Sequence, residues 1–562
     1  MTNTQIAEQF ELLSKLMDLH GENSFKTKTY AVLAYNIEKL GVELSTLGEE
    51  DLFSIKGIGE STGRKILELL QTGHMAVLDE IIANTPAGLL DIMAIKGLGP
   101  KKIAVIWKEL GIESVGELEY ACNENRLVTL KGFGAKTQES ILQNIRYIKQ
   151  NEGFFLWSEA IEVGEGIVAA LRNKFPEHLF SLSGAARRQM EVLDAVDIIT
   201  DMDKMTLRKQ FAESDDVLVE YVGDDVVHIK VTMRPKLAFR FVKREVFYGT
   251  LFKTTGSEEF INAFLAKYKL PEDVATEEEI FKINGLQVIP PALRESGNVL
   301  DKAAQNSLPE LITKRDIKSI IHSHSKYSDG QNTIEEMAIA AIKDGYEYLV
   351  LSDHSQAAFY ANGLTPERIA QQHAEIDALN IKLAPFKIFK SIEADILNDG
   401  NLDYSASVLS TFDLVIASVH SNLKMSEEKA MARVMAAIAN PFTTILGHPT
   451  GRLLLSRNGY PLDHKAIIDA CAIHNVVLEI NAHPRRLDLD WRWIAYAIEK
   501  GVLLSIDPDA HSINGYNDVH YGAMIAQKGG LTARQNLSSY SLTEFEEFLV
   551  NVRKKKATIQ LV

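Results

Sequence analysis

The sequence predicts a multidomain α/β protein with a helical N-terminal region, an α+β middle region and a C-terminal parallel barrel. Three observations predict this fold class. The 562 residues exceed what one hydrophobic core usually holds. A turn with two glycines recurs three times between helical stretches in the first 150 residues. After residue 318, seven short apolar runs alternate with mostly helical stretches, which is typical of a (β/α)7 barrel.

The composition limits where the protein acts and which partners it has. Hydrophobic residues make up 46% of the chain and charged residues 24%, as in ordinary globular proteins. We expect no membrane span, because no apolar run reaches about 18 residues. The N-terminus lacks the layout of a signal peptide, and two distant cysteines predict neither a disulfide nor a thiolate metal site. We therefore expect a cytoplasmic protein, and a monomer is consistent with the sequence.

The three glycine turns predict contact with a phosphate backbone. In each turn, two glycines flank one apolar residue, so the backbone can turn tightly while that residue anchors in the core. Backbone N–H groups at the start of the next helix could hold a phosphate, and Lys101, Lys102 or Lys136 could add a positive charge. This is the helix-hairpin-helix pattern, which contacts DNA without reading its sequence. The glycines expected at DNA are Gly57, Gly59, Gly97, Gly99, Gly132 and Gly134.

The turns also admit a plainer interpretation, in which a helical connector needs glycine for steric reasons alone. Three copies favour the DNA interpretation over this one. The net charge of −16 argues against general coating of nucleic acid, but it leaves room for a local basic groove. We place two helical domains here, residues 1–82 and 83–150.

The middle region carries the marks of a nucleotidyltransferase. Strand-like runs alternate with helical ones from about residue 153. The turn Gly184-Ala185-Ala186-Arg187-Arg188, the strand Asp194-Ala195-Val196-Asp197 and the segment Thr255-Gly256-Ser257 resemble those of bacterial family X DNA polymerases. The resemblance extends over nearly the whole chain. It implies a palm over residues 151–246, a thumb over 247–295 and a linker over 296–317.

The palm departs from that family at its acidic residues. Of the two aspartates that the family carries on this strand, Asp197 remains and Ala195 replaces the other. We expect the third family carboxylate at Lys230. Because two-metal phosphoryl transfer needs several carboxylates around two cations, we predict a palm that does not polymerise. It could still bind DNA ends or nucleotides through its arginines, or serve only as a scaffold.

Six of the seven apolar runs end in a histidine or an acid. In a parallel barrel, function concentrates at the carboxyl ends of the strands, so these side chains should meet in space. Satisfied core or loop histidines would explain any one position but not the whole set. The candidate ligands are His322, His324, Asp329, His354, Glu393, His420, His448, Asp509 and His511.

This set and its neighbouring phrases resemble the PHP (polymerase and histidinol phosphatase) superfamily. The phrases include Ser328-Asp329-Gly330, Ser352-Asp353-His354 and Asp509-Ala510-His511. The resemblance implies a distorted (β/α)7 PHP barrel over residues 318–562, with all nine family ligand positions present. Nine ligands predict two or three divalent transition-metal ions, and the resemblance favours Mn²⁺ or Zn²⁺. His483 departs from the polymerase-linked subgroup, which more often has asparagine there, so we expect it at the rim.

The predicted chemistry is phosphate-ester hydrolysis by metal-activated water. We expect Glu393 to bridge two ions, and Asp329 and Glu393 to take part in catalysis. Arg452 and Arg485, with Arg457 nearby, are the candidates for gripping a phosphate. Combined with three DNA-binding turns, this chemistry predicts a 3′→5′ exonuclease or 3′-end phosphatase in DNA repair.

Three alternatives remain open at the level of the sequence. The first is an active polymerase that also proofreads, although Ala195 and Lys230 argue against it. The second is a small-molecule phosphatase of the histidinol-phosphate type, which leaves the DNA-binding turns without a role. The third is a DNA-binding scaffold without catalysis, and the intact ligand set argues against that.

Overall fold

The computed structural model describes residues 1–124, 126–151, 153–211, 217–231, 234–271 and 273–559. The chain divides into two compact units, Met1–Glu152 and Gly153–Val562. Among the helices of these described residues, none is long and apolar enough to cross a membrane. Both cysteines are free and buried.

The first unit is helical. A single hydrophobic core extends through it from Ile6 to Ile145. The two helical domains predicted for residues 1–82 and 83–150 therefore share one core. The helices are α1 (Asn3–His20), α2 (Ser24–Glu38), α3 (Glu49–Ser54), α4 (Glu60–Thr72), α5 (Ala76–Ala83), α6 (Ala87–Met93), α7 (Pro100–Leu110), α8 (Val115–Asn123) and α9 (Ala135–Asn151).

The three glycine turns share one backbone geometry. The first glycine of each turn is left-handed, with φ of 97° at Gly57, 90° at Gly97 and 89° at Gly132. The apolar residue between the glycines is buried in every turn, as the anchoring argument requires. Gly59 and Gly99 are the N-caps of α4 and α7 and offer no side-chain cap, so the first N–H groups of these helices are not capped by a side chain. The third turn follows a 3₁₀ turn rather than an α-helix.

The second unit begins with a mixed sheet. Its five strands have the order β2-β4-β7-β6-β5, and only β4 and β7 run parallel. The sequence prediction missed β7, which lies beside β4. The elements are β1 (Phe155–Leu156), α10 (Trp157–Lys174), β2 (Phe180–Leu182), α11 (Gly184–Arg187), β3 (Val192–Leu193), β4 (Val196–Thr200), α12 (Lys204–Phe211), β5 (Val217–Val222), β6 (Val226–Val231) and β7 (Leu237–Phe241).

Four helices with an aromatic core follow the sheet. They are α13 (Phe247–Thr255), α14 (Glu258–Lys267), α15 (Glu277–Ile283) and α16 (Asn298–Ala304). Phe252 packs on Phe260, Phe264 and Phe281. Helix α16 falls in the segment that we predicted to be a linker. That prediction is wrong for this part, because Leu300 on α16 is fully buried in the same core.

The rest of the chain forms the predicted parallel barrel. Seven strands follow the order β14-β13-β12-β11-β10-β9-β8, all parallel. A bridge between Ser323 and Ala510 brings the first and last strands together and nearly closes the barrel. The elements are β8 (Ser319–Ser323), α17 (Ile334–Lys343), β9 (Tyr348–Leu351), α18 (Pro366–Lys382), β10 (Lys387–Asp395), α19 (Ala406–Leu409), β11 (Leu414–Ser418), α20 (Glu427–Ala439), β12 (Thr443–Leu446), α21 (His464–His474), β13 (Val477–Asn481), α22 (Ile494–Glu499), β14 (Leu504–Asp507), α23 (Val519–Lys528) and α24 (Leu542–Ile559).

Polar contacts join the mixed sheet to the barrel. Glu191, in the loop before β3, accepts hydrogen bonds from Trp491 Nε1 at 3.0 Å and Arg492 Nη1 at 2.9 Å. The fully buried ammonium of Lys528 donates to the Arg188 carbonyl and to Glu295. Because buried charges are costly unless paired, these contacts hold the two regions together as one unit.

Candidate metal centre

Glu393 is the centre of the ligand set at the carboxyl ends of the barrel strands. It lies two residues before the end of strand β10 and is fully buried. Both of its carboxylate oxygens face imidazole nitrogens of residues that follow other strands. Oε1 lies 3.3 Å from His322 Nε2, 3.0 Å from His420 Nε2 and 3.0 Å from His448 Nε2, and Oε2 lies 2.9 Å from His354 Nδ1 and 3.7 Å from His324 Nε2. A carboxylate whose two oxygens each face imidazoles that could bind metal is placed to bridge two ions.

The remaining acids complete groups on either side of Glu393. Asp509 Oδ1 lies 3.1 Å from His324 Nε2 and 3.6 Å from His322 Nε2. Asp329 Oδ2 lies 3.5 Å from His511 Nε2 and 3.7 Å from His354 Nε2. The potential donor atoms therefore form three groups, each able to hold one ion. The groups are His322, His324 and Asp509; His354, Glu393 and His420; and His324, Asp329, His354 and His511.

Three of these residues have a left-handed backbone. The φ angles are 60° at His322, 23° at His448 and 52° at Asp509. At His322 this conformation coincides with a bulge, because the register between β8 and β9 shifts between Ile320 and Ser323. Residues with a Cβ seldom adopt such angles, and they concentrate at functional sites. The barrel thus holds these side chains inward at some cost in backbone strain.

Two carboxylates of the cluster are held in the ionised form. Burial alone would raise the pKa of Glu393, but nearby His420, His322 and His354 outweigh it and hold the pKa well below its usual range. Burial likewise opposes ionisation of Asp509, and His322 and His324 overcome it and depress the pKa. The site therefore presents buried negative charge to whatever cation enters.

The imidazoles respond to their neighbours in two ways. Burial opposes protonation of His420 and His511, but adjacent carboxylates raise their pKa to about 10 and about 9. His324 instead stacks between His354 at 4.4 Å and His511 at 4.3 Å. Burial and these two rings lower the pKa of His324 to about 3. A divalent ion binds neutral imidazole, so metal binding here would release protons from His420 and His511.

The donor atoms fit a group of cations. His322 Nε2, His354 Nδ1 and Glu393 Oε2 are buried, and within the described residues none of them has a hydrogen-bond partner. A buried polar atom without a partner is costly, and a bound cation would satisfy all three. Mixed imidazole and carboxylate donors suit Zn²⁺, Mn²⁺ or Fe²⁺ better than Mg²⁺ or Ca²⁺.

A second layer of carboxylates orients the ligands. Glu479 on β13 contacts His322 Nδ1 at 2.5 Å and also accepts from the backbone N–H of His448. Asp395 contacts His420 Nδ1 at 3.2 Å. Such contacts fix the tautomer and the ring orientation of a metal-binding histidine. The sequence prediction missed both residues. An acid inside the otherwise apolar strand β13, and a second acid two residues after Glu393, were the available signals.

Two of the predicted phosphate-binding arginines, Arg452 and Arg485, have other partners in the structure. Arg452 donates to the carbonyls of Arg486 and Leu487 and pairs with Asp490. Its guanidinium therefore stabilises the loop over residues 486–490. Arg485 is 53% exposed, and its nearest acid is Glu159, 3.7 Å away.

Arg486, which the prediction passed over, has its Nε 3.6 Å from Asp509 Oδ2. Adjacent positions on a loop point in different directions, and sequence alone does not tell which one faces inward. Arg457 donates to the Gly451 carbonyl, and burial lowers its pKa.

His483 lies beside the cluster without joining it. None of the three groups includes it. Its Nδ1 accepts from the Arg485 N–H at 3.2 Å, and its own N–H donates to Asn481 Oδ1 at 3.1 Å. Burial lowers the pKa of His483, with Arg486 and His511 acting in the same direction against the opposing charge of Asp509. This agrees with the expected position at the rim.

The sheet of the middle region offers a half-buried acid for comparison. Asp197 on β4 lies opposite Ala238 on β7, the strand that pairs with β4. On β7, the parallel neighbour of β4, the position opposite Asp197 thus carries no carboxylate. The assignment to Lys230 is corrected, because β6 does not pair with β4 and Lys230 bonds to Glu220 at 2.8 Å. Thr232, at the end of the predicted strand, lies outside the described residues.

Comparison with known proteins matches the regions found in the structure. Models of the helix-hairpin-helix domain, the SAM-like helix-hairpin-helix tandem and the PHP domain match residues 1–75, 89–146 and 321–483. The chain is 36% identical to the DNA polymerase/3'-5' exonuclease PolX of Bacillus subtilis (strain 168), in an alignment that covers 98% of this chain and 99% of that protein.

Two shorter relatives match the barrel region. A probable phosphatase of Thermoanaerobacter sp. (strain X514) is 25% identical over 42% of this chain and 95% of its own length. A probable phosphatase of Escherichia coli O81 (strain ED1a) is 28% identical over 34% of this chain and 78% of its own length.

Proposed function

Because this chain belongs to the PolX family, whose members join helix-hairpin-helix and PHP domains, we propose that it is a metal-dependent 3′→5′ exonuclease acting on DNA in repair. The observation that carries the proposal is the convergence of nine imidazole and carboxylate side chains, with Glu393 at their centre. The three glycine turns, two of which lead into helices without a side-chain cap at the N-terminus, are suited to hold a DNA backbone.

The ligand set supports two or three ions, with Mn²⁺ or Zn²⁺ as the favoured metals. Glu393 would be shared between ions, since its two oxygens face different imidazoles. When bound, such ions lower the pKa of water toward neutrality and stabilise charge on phosphoryl oxygens. His322, His324 and Asp509 would hold one ion, and Asp329, His354 and His511 would hold another.

The reaction is hydrolysis of the last phosphodiester bond of a strand. A water oxygen forms a bond to phosphorus while the bond from phosphorus to the 3′ oxygen of the preceding nucleotide breaks. That 3′ oxygen takes up a proton, and a nucleoside 5′-monophosphate is released. Arg486, whose guanidinium faces the cluster beside Asp509, is placed to hold the charged phosphate.

In the middle region, we propose that the palm does not polymerise. Asp197 faces Ala238 across the strand pair, and Ala195 precedes β4. The other acid of this strand, Asp194, lies 3.8 Å from Lys236 and is 67% exposed. A single carboxylate cannot offset the repulsion between two cations, so the palm lacks the ligands that two-metal nucleotidyl transfer needs. The palm instead serves as a scaffold that is tied to the barrel through Glu191.

Product analysis on labelled oligonucleotides tests the proposal. The full chain is stripped of metal with a chelator, reloaded with Mn²⁺ or Zn²⁺, and incubated with a 5′-labelled single strand. A ladder shortening from the 3′ end, with nucleoside 5′-monophosphates as products, supports an exonuclease. Metal-loaded protein that leaves the strand intact overturns the proposal. Release of inorganic phosphate alone from a 3′-phosphorylated strand would replace it with a 3′-end phosphatase.

Metal content measured on the same samples ties the activity to the ligand set. We expect two or three equivalents in the wild-type chain and loss of metal in His322→Ala. The matched control is His464→Ala, because His464 stacks on Trp493 at 4.9 Å, outside the three ligand groups. A primer-extension assay with Mn²⁺ should show no incorporation. Any extension above background would contradict an inactive palm.

A further inference from the structure

Two exposed aromatic side chains border the metal centre. Phe359 is 85% exposed and Tyr360 is 64% exposed, and both belong to the 3₁₀ turn Phe359–Ala361. This turn follows the ligand His354 by five residues. The centroid of the Tyr360 ring lies 6.3 Å from that of His354. Burial raises the pKa of Tyr360, and the negative charges of Asp395 and Glu393 act in the same direction.

The turn is firmly held beneath these two rings. Ala358 and Ala361 are buried on its inner side. The Ala357 N–H donates to Asp403 Oδ2 at 2.5 Å, and the Gln356 N–H donates to the Tyr404 hydroxyl at 3.0 Å. The chain leaves the turn so close to the strand end that a Cβ at Gly363 would meet the Ser355 carbonyl at 1.9 Å. The rings are thus exposed on an anchored backbone.

The shape of the pair suits flat, uncharged ligands. The ring centroids of Phe359 and Tyr360 are 6.2 Å apart and the planes meet at 78°, so the two rings present differently oriented faces. Single exposed apolar residues are common on protein surfaces. Two adjacent aromatics beside a group of metal-binding side chains are a different case, because a ring that stacks on them lies next to the site proposed for the phosphate.

We propose that Phe359 and Tyr360 form a stacking platform for the nucleobase at the 3′ end of the DNA strand. The inference rests on the proposed function and names what that site recognises. In a nucleotide, one sugar separates the base from the phosphorus, so a phosphate held at the ions brings its base to the rim. Stacking uses the face that every base has, which makes the platform independent of sequence and selective for unpaired ends.

The test compares two strands that differ only at the last residue. One ends in thymidine, and the other ends in an abasic tetrahydrofuran nucleotide. Stacking on an aromatic side chain is worth on the order of a tenfold difference in binding. Wild-type, metal-loaded protein should therefore remove the thymidine nucleotide with a kcat/KM roughly tenfold above that for the abasic one. The difference should appear mainly in KM.

Variants at Phe359 separate stacking from bulk. Phe359→Leu keeps an apolar side chain without a π face and should raise KM for the thymidine strand, so that the preference over the abasic strand falls toward one. Phe359→Trp should retain the preference for the thymidine strand. Unfolding does not complicate these variants, because the side chain is almost wholly exposed. Ile381→Ala, at an equally exposed apolar residue on α18 (84%), is the control and should keep the wild-type preference.

Two failures are distinguishable. If the metal-loaded wild-type chain releases no nucleotide from either strand, the proposed exonuclease fails and the platform fails with it. If the wild-type chain digests both strands at equal kcat/KM, or if Phe359→Leu keeps the full preference, the exonuclease stands and the platform alone is overturned.

Discussion

The barrel and the palm each carry an acid on a parallel strand, Glu393 near the carboxyl end of β10 and Asp197 near the start of β4, and only the barrel surrounds its acid with further ligands. Glu393 lies within 3.7 Å of five imidazoles. Asp197 in the palm lies opposite an alanine. This difference shows that one carboxylate, such as Asp197, does not by itself define a metal site. The number of ligand-bearing strand ends that converge on it decides the chemistry.

The pKa values of Glu393 and Asp197 are shifted in opposite directions. Histidines hold the pKa of Glu393 well below its usual range, despite complete burial. Burial and the neighbouring charge of Asp194 raise the pKa of Asp197. A cluster that ionises its acid attracts a cation, whereas an acid that tends toward the neutral form does not. The predictions below either sharpen this contrast or break it.

The largest effect should follow from removing the central charge of the barrel. We expect Glu393→Gln to lose metal and to lower hydrolysis of a labelled oligonucleotide by at least about 10³-fold, because an amide cannot offset the repulsion of two ions. Asp509→Asn should have a similar effect on hydrolysis. Metal content and initial rates measure the change, and DNA affinity should stay near that of wild type.

A surface acid provides the control for this charge change. Glu220, which is paired with Lys230 on the edge of the palm sheet, is mutated to glutamine. This variant should keep its metal and its rate. If Glu393→Gln hydrolyses DNA as fast as Glu220→Gln does, the barrel does not work as we propose.

A smaller loss should follow from a change in the second layer. Glu479 contacts the ring nitrogen of His322 on the side away from Glu393. Glu479→Gln leaves all nine ligands in place but weakens the orientation of this ring. We expect metal affinity and rate to fall by about 10- to 100-fold. Titration with Mn²⁺, followed by activity at saturating metal, separates the two contributions. An unchanged affinity would mean that Glu479 only fills the barrel interior.

The same contrast explains which parts of the structure could be predicted from the sequence. The seven strands and the convergence of the ligand side chains were predictable, because short apolar runs end in residues that chemistry needs at one edge. The outer layer was not, since Glu479 and Asp395 are single acids whose partners are far away in sequence.

Other misses have physical causes of the same type. The strand β7, which decides the partner of Asp197, contains the short run LAFRF, and its pairing with β4 is a long-range contact that no local pattern carries. Helix α16 lies in a segment that was predicted to be a linker. Its burial could not be predicted locally, because it depends on aromatic residues of α13 and α14. Loop residues have no fixed periodicity, so the sequence did not indicate that Arg486, next to Arg485, lies beside Asp509.

Exchanging these two arginines for alanine gives an effect of intermediate size. Arg486 has its guanidinium 3.6 Å from Asp509, whereas Arg485 is exposed. We expect Arg486→Ala to lower kcat/KM about tenfold, through loss of a charge-assisted contact to phosphate. Arg485→Ala should change it by less than about twofold. The reverse order would restore the original sequence prediction and remove Arg486 from the site.

Changes in the glycine turns should weaken binding and leave the barrel intact. Gly97 and Gly132 have φ near 90°, where a Cβ costs about 1–2 kcal/mol per residue. We expect Gly97→Ala with Gly132→Ala to weaken binding of a DNA duplex by roughly fivefold at low salt, with unchanged metal content. Gly116→Ala is the control, because Gly116 lies within α8 with open space around it. Equal affinities in the two variants would favour the purely steric interpretation of the turns.

The smallest effect is expected at the palm acid itself. Because the folded-state pKa of Asp197 is raised, its ionised form opposes folding at neutral pH. Asp197→Asn should therefore increase the free energy of unfolding by about 1 kcal/mol at pH 7 and leave exonuclease rates unchanged. The stability gap should close as the pH falls through the raised pKa, since both side chains are then neutral. Denaturant unfolding at several pH values measures the gap. A loss of exonuclease rate in this variant would mean that the palm acid takes part in the chemistry, and the contrast between the two regions would break.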